Sequence, residues 1–348
     1  MLDAYGRDVN YLRVCVTDRC NLRCQYCMPA EGVVMRQHDE ILRIEEIREV
    51  VRTAAGLGVT KVRVTGGEPL VRRGVVDLCR EIKAISGINE LALTTNGILL
   101  EEYAQSLREA GVDRVNISMD SLDPEKYAYM TRGGDLGAVL RGISAAADAG
   151  LRPVKLNAVL IGGFNVDEVP AFVDMTRDKD IEVRFIELMP LGEATPFWES
   201  GYTPNSAVLD LVPALRPILS GGASGCFNGA DSAFVAADAV EMVDSDGDGF
   251  FEGVTKLYQL PGAKGRVGLI TPISSHFCRY CNRLRLTADG MLKPCLHSDL
   301  EIPVRGLTGA ALEAAIREAV GRKPANRGEE LSAAYASKAK RNMNQIGG

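Results

Sequence analysis

Six segments of the chain repeat one pattern: a short apolar strand, a turn of small or polar residues, then an amphipathic helix. The strands read at 11–16, 59–65, 91–95, 114–118, 154–160 and 183–188. Units of about 30 residues alternating in this way fold into a parallel sheet joined by crossover helices. The expected architecture is α/β: a curved, partial (β/α)6, TIM-like barrel over residues 1–200, with residues 201–348 as a C-terminal extension. In barrels of this kind the chemistry gathers at the C-terminal strand ends. Here those ends carry residues 19–27, Gly66-Gly67-Glu68-Pro69, Thr94-Thr95-Asn96-Gly97, Ser118-Met119-Asp120 and Glu187-Leu188-Met189-Pro190.

The first end holds Cys20, Cys24 and Cys27, spaced C-x3-C-x2-C, with Tyr26 just before the last. Three cysteines on one tight loop hold three irons of a [4Fe–4S] cluster and leave the fourth open. A structural zinc loop completed by a distant ligand is the alternative. A second triplet, Cys278, Cys281 and Cys295, again lacks a fourth cysteine. His276 and His297 lie near it, so zinc and iron–sulfur stand level there on spacing alone. Two triplets in a chain without an apolar signal region point to metal chemistry and not to a disulfide framework. Of the other cysteines, Cys15 and Cys79 read as small core residues, and Cys226 is assigned no role.

The formal net charge of −6 argues against bulk nucleic-acid binding. No apolar run approaches the ~18–20 residues of a membrane span. The first residues carry no signal pattern, so the chain reads as cytoplasmic. Basic residues nevertheless recur inside apolar strands: Arg13, Arg63, Lys155 and Arg184. Arg283 and Arg285 share one face of a strand just after Cys281. Charges pointing into a barrel need an anion, and guanidinium forks suit phosphate oxygens. A nucleoside triphosphate fits. Residues 221–229 read as a flexible loop, and 244–249 as an acidic turn. A calcium loop is the lesser alternative there, because Thr255 stands where a glutamate is expected. The polar tail from about residue 326 reads by composition as a disordered terminus.

The spacing of the first triplet, with Tyr26, resembles the radical S-adenosylmethionine (SAM) superfamily. More closely, the chain resembles the GTP 3′,8-cyclase family, the molybdenum-cofactor biosynthesis protein A family, over nearly its full length. The motifs that carry this are residues 17–29, Arg63-Val64-Thr65-Gly66-Gly67-Glu68-Pro69-Leu70, Leu93-Thr94-Thr95-Asn96-Gly97, Arg184-Phe185-Ile186-Glu187, residues 270–287 and the final Gly347-Gly348. The resemblance implies a radical SAM barrel whose C-terminal extension carries a second Fe–S cluster. It implies SAM and two [4Fe–4S] clusters as cofactors. Cys20, Cys24 and Cys27 would hold the SAM cluster; Tyr26, Gly67, Ser118 and Met189 would contact SAM. Cys278, Cys281 and Cys295 would hold the auxiliary cluster, whose open iron binds guanine. Arg13, Arg63, Thr94, Lys155, Arg184, Arg283 and Arg285 would surround GTP, and Gly347-Gly348 would reach into the active site. A 5′-deoxyadenosyl radical would take the ribose 3′ hydrogen, yielding (8S)-3′,8-cyclo-7,8-dihydroguanosine triphosphate. Molybdenum-cofactor biosynthesis protein C would act downstream, and a flavodoxin or ferredoxin would supply electrons. A homodimer is left open. Residues 217–255 are longer and richer in Gly, Ala and Asp than the family pattern. The rival readings are a radical SAM enzyme acting on a peptide and a zinc-stabilised nucleotide-binding protein.

Overall fold

A computed structural model of the chain describes residues 1–33, 36–218, 251–252, 254–275, 277–326, 328 and 341–347. Cys226, His276, Gly348, the 221–229 loop and the 244–249 turn lie outside the described residues, as does most of the 217–255 stretch.

Strand β1 (Tyr11–Cys15) leads through the first cysteine loop to α1 (Ile44–Gly56). Then come β2 (Lys61–Thr65), α2 (Val75–Lys83), β3 (Glu90–Thr95), α3 (Leu100–Glu109), β4 (Arg114–Ser118), α4 (Pro124–Thr131), α5 (Leu136–Asp148), β5 (Val154–Leu160), α6 (Val169–Asp174) and β6 (Ile181–Glu187). Short helices α7 (Thr195–Gly201) and α8 (Ser206–Leu211) precede β7 (Arg216–Pro217), β8 (Phe251–Glu252), β9 (Thr255–Gln259) and β10 (Arg266–Ile270). The last elements are β11 (Arg283–Leu286), β12 (Met291–Lys293), β13 (Ile302–Pro303), α9 (Gly309–Gly321) and α10 (Met343–Ile346).

Local chemistry sets the helix starts. The Asp123 carboxylate accepts from the amides of Glu125 and Lys126 at the head of α4, with Pro124 in the first turn. In α1, Ile47, Val50, Val51 and Ala54 are buried, a three-and-four spacing that puts them on one face.

The six expected strands pair in parallel in chain order, β1 to β6. The extension adds a parallel strand at each edge: β10 lies against β6, and β11 against β1. Antiparallel β9, β7 and β8 follow β10, and β12 and β13 follow β11. The arc stays open, ending at β13 and β7 among the described residues.

Alternation divides the strand residues. Leu12, Val14, Val62, Val64, Leu91 and Leu93 join the core beneath the helices. Each such fully buried side chain contributes roughly 1.5–3 kcal/mol. Arg13, Arg63, Asn116, Lys155 and Arg184 alternate with those core residues, so they face the concave side, yet all are buried as well. That polar face adds none of the hydrophobic stabilisation, and its groups must find partners.

Candidate active site

The loop after β1 is docked by backbone. Gly67 N donates to Thr17 O at 2.7 Å and Glu68 N to Arg19 O at 2.8 Å. A Cβ on Gly66 would meet Thr17 O at 2.6 Å, and one on Gly67 would meet Arg19 O at 2.3 Å. The paired glycines thus let the cysteine loop lie on the end of β2. On the other side, Arg23 N and Gln25 N bond to the carbonyls of Thr131 and Met130 at the end of α4. Glu68 is fully buried; it accepts from Leu70 N, Thr95 Oγ1 and Asn96 N at 3.0, 2.8 and 2.7 Å. Burial lifts its carboxyl to about 7. The Tyr26 hydroxyl donates to Asp120 Oδ2 at 2.6 Å, tying the loop to the end of β4. That hydroxyl is engaged within the protein, which leaves the ring and backbone of Tyr26 for any ligand.

Donors surround the first triplet. Leu22 N lies 3.4 Å and Asn96 Nδ2 3.7 Å from Cys20 Sγ, and the Asn344 amide bonds the Cys27 sulfur. Burial raises all three thiols, Cys27 to about 12, and their mutual proximity raises Cys24 and Cys27 further. They stay protonated until a metal takes them. Among the described residues no three His, Cys, Asp or Glu side chains converge on a point where one ion would be held. A single zinc needs each sulfur at ~2.3 Å. A cubane spreads three thiolates over three irons and leaves the fourth open.

Beside this loop the concave face is cationic. In register, Arg285 of β11 faces Arg13 of β1, which faces Arg63 of β2. These side chains are only 8%, 8% and 7% exposed. Arg63 and Arg283 flank the Tyr11 ring at 5.4 and 5.5 Å from its centroid. Burial and then the Arg285 charge pull Arg13 down to about 9; burial and then Arg283 pull Arg285 to about 10. A guanidinium stays charged in proteins, so the crowding is a standing cost that an anion would relieve. Arg63 Nε, Arg283 Nε, Thr94 Oγ1, Asn116 Nδ2 and Asn157 Oδ1 are buried with no hydrogen-bond partner among the described residues. Such orphaned donors and acceptors mark where a polar ligand belongs.

Lys155 and Arg184 are differently placed. Glu182, 1% exposed, pairs with Lys155 at 3.4 Å, with Arg266 at 3.0 Å and with Arg184 Nε. Part of the expected anion is therefore the protein's own. Strand β6 begins at Ile181 and not at Val183 as expected, so Glu182 and Arg184 share one face. Lys155 is also near the start of β5 and not in its C-terminal half.

The second triplet sits below this edge. Cys278 and Cys281 bracket a 3-10 turn, with Cys281 N bonded to Cys278 O at 3.1 Å. Glu187 at the end of β6 accepts from Ile273 N and Ser274 N at 2.8 and 2.9 Å, fixing the approach to that turn. Burial would raise the Cys281 thiol, but Lys323, Arg283 and Arg285 outweigh it and hold it below its ordinary value. Cys295 is raised by burial, although the His297 amide bonds its sulfur.

Residues 341–347 are folded, against the disordered terminus that composition suggested. Asn344 Nδ2 bonds Asp18 O at 2.9 Å, and Ile346 packs with Leu191 beside Met189. Gly347 O accepts from Arg285 Nη1 at 2.6 Å. Gly347 has φ +79°, and a Cβ there would lie 2.6 Å from Thr65 Cγ2. The segment thus joins the first cysteine loop to the arginine row. Cys15 faces it, with Sγ 3.7 Å from Asn344 O, whereas Cys79 lies in the apolar core.

Comparison with known proteins decides the family. The radical SAM superfamily matches residues 14–176, and the Molybdenum Cofactor Synthesis C family matches residues 234–329, which takes in the later part of the 217–255 stretch. A GTP 3′,8-cyclase of Alkaliphilus oremlandii is 47% identical over 351 residues, covering 100% of both chains. Another, of Peptoclostridium acidaminophilum, is 47% identical over 351 residues, covering 100% of this chain and 98% of its own. The chain belongs to the GTP 3′,8-cyclase family. It is a radical SAM enzyme of molybdenum-cofactor biosynthesis, and such enzymes work with SAM and [4Fe–4S] clusters. Among solved structures, SuiB of Streptococcus suis bound to S-adenosylmethionine aligns with TM-score 0.55 at 14% identity, covering 94% of this chain and 69% of that one. That likeness is one of fold. Membership in the cyclase family agrees with the expected partial barrel and its extension.

Proposed function

We propose that this chain converts GTP to (8S)-3′,8-cyclo-7,8-dihydroguanosine 5′-triphosphate. One observation carries the reading: the Arg285–Arg13–Arg63 row, assembled from both ends of the chain, is joined to the approach to the Cys20–Cys24–Cys27 loop by the tail, which bonds Arg285 through Gly347 O and Asp18 O through Asn344. A polyphosphate is thereby seated within reach of the strand ends. Bound at that loop, a reduced cluster with SAM supplies a 5′-deoxyadenosyl radical for removal of the ribose 3′ hydrogen.

The residues divide the remaining work. Cys20, Cys24 and Cys27 hold the first cluster, with Tyr26, Gly67, Ser118 and Met189 around SAM. Cys278, Cys281 and Cys295 hold the second cluster near the guanine. Arg13, Arg63, Arg283 and Arg285 neutralise phosphates, Thr94 offers its orphaned hydroxyl, and Lys155 and Arg184 act from their anchor on Glu182. Gly347 orients Arg285; Gly348, outside the described residues, is assigned to the active site with it by the family resemblance. The docked tail covers the Arg285 end of the row, whose arginines are themselves buried. Residues 1–200 act as the barrel and 201–348 as the cluster and substrate region, with β10 and β11 buttressing the barrel's edges. We place the enzyme in the cytoplasm; no helix among the described residues is long and apolar enough to cross a membrane. Protein C of the same pathway would take the product, and a flavodoxin or ferredoxin would reduce the clusters.

The test is anaerobic turnover of the reconstituted chain with GTP, SAM and a reductant. The expected products are 5′-deoxyadenosine and the cyclised nucleotide, both lost in Cys24→Ala. No consumption of GTP, or products surviving in that variant, would overturn the reading.

A further inference from the structure

The second triplet is framed by two buried cations from opposite ends of the chain. Lys323, just past α9, is 3% exposed. Its ammonium donates to Arg283 O at 2.7 Å and Pro294 O at 2.9 Å, and lies 3.8 Å from Cys281 Sγ. Those three contacts use its three protons. Among the described residues none of them is a carboxylate. Lys323 is thus a buried charge with no acidic partner in contact among the described residues, an arrangement that favours an anion forming beside it.

Arg7 differs. Asp3 neutralises it at 2.6 Å, and its other donors hold the carbonyls of Cys278 and Pro324, each at 2.7 Å. The two cations together reach all three cysteines: Cys278 through its carbonyl, Cys281 through its sulfur, and Cys295 through the preceding Pro294 carbonyl. Arg7 fixes position. Lys323 adds charge.

We propose that Lys323 is the counter-charge of the second cysteine triplet, a positioning residue that holds its thiolates and raises the reduction potential of the cluster they bind. The proposal rests on the cluster reading of that triplet. Three thiolates outweigh the positive charge of a cubane core, and the unit becomes more negative when reduced. A fixed cation in a dry site therefore favours the reduced form. Sequence reading passed over Lys323 because a lysine after a surface helix looks like a solvated helix end.

The experiment compares Lys323→Met, Lys323→Gln and Lys323→Arg in the full, anaerobically reconstituted chain. Iron, sulfide and zinc are counted, and each cluster is titrated redox-potentiometrically by EPR. In Lys323→Met the second cluster's reduction equilibrium is expected to fall at least tenfold, 59 mV for one electron. The first cluster should be unchanged, and Lys323→Arg should keep the wild-type value. Selective loss of the second cluster in Met but not Arg supports the same conclusion. Lys323→Gln keeps donors for the carbonyls and reads the same outcome if Met does not fold; folding of Arg alone also supports a charge requirement. An unchanged potential in a fully loaded neutral variant overturns the proposal, and so does equal cluster loss in the neutral and Arg variants. Wild-type protein with about four irons and zinc would defeat the cluster reading by itself. Zinc retention in Lys323→Met against Lys323→Arg then scores the counter-charge.

Discussion

Glu68 carries a proton balance that unfolding can reveal. Burial lifts its carboxyl from an ordinary 4.5 to about 7. The folded state therefore holds a proton that the unfolded chain has released between those values. Stability from this group falls as pH rises through that window and is level above it. Glu68→Gln removes the effect. In urea unfolding of the metal-free protein, the stability gap should move in wild type's favour as the pH is lowered from about 8 to about 5. A gap that ignores pH refutes the assignment. Glu68 was legible as part of a strand-end motif, but its three donors were not, because they come from loops that meet only in the fold. Arg13 and Arg63 were legible from alternation with valines and leucines. Glu182 was not, because a strand edge misplaced by two residues hides which charges share a face.

At the scale of elements, the glycine turn after β2 and the cysteine loop after β1 form one unit. Gly67→Ala places a Cβ 2.3 Å from the Arg19 carbonyl, a backbone atom that cannot step aside. Overpacking of this kind costs about 1–3 kcal/mol. The expected result is selective loss of the first cluster, about four of eight irons, with the second retained. Full iron content in that variant would show that the loop has slack. The six strand–helix units were readable because hydrophobic period and turn residues agree at each. Strand β11 was readable as a strand, but not as a parallel neighbour of β1. Local pattern does not record which distant edge a strand will join.

Over the whole molecule, one side chain anchors the start of the described tail segment. Arg341 bonds both oxygens of Asp289 at 2.9 and 3.0 Å and both of Glu301 at 2.6 Å. Hydrogen bonds to charged groups contribute about 1.5–3 kcal/mol. Arg341→Gln should therefore speed amide exchange across Met343–Ile346 by roughly tenfold or more, with both clusters kept. Exchange at the wild-type rate would place the anchor elsewhere. Composition alone pointed to disorder here, since a polar segment shows no core of its own; its partners lie on the β11–β12 turn, the approach to β13 and the first loop.

The pairing of β11 with β1 has a consequence for biosynthesis. Arg7 already clasps Cys278 across 271 residues, and the arginine row is split between the same two regions. A nascent chain emerging from the ribosome would display the first cysteine loop long before the phosphate seat exists. Its β1 edge would stay open, a surface for chaperones, until β11 arrived. A prematurely terminated chain would then carry iron-binding thiols but no means to hold a triphosphate, so incomplete copies would be unable to direct a radical at the nucleotide pool.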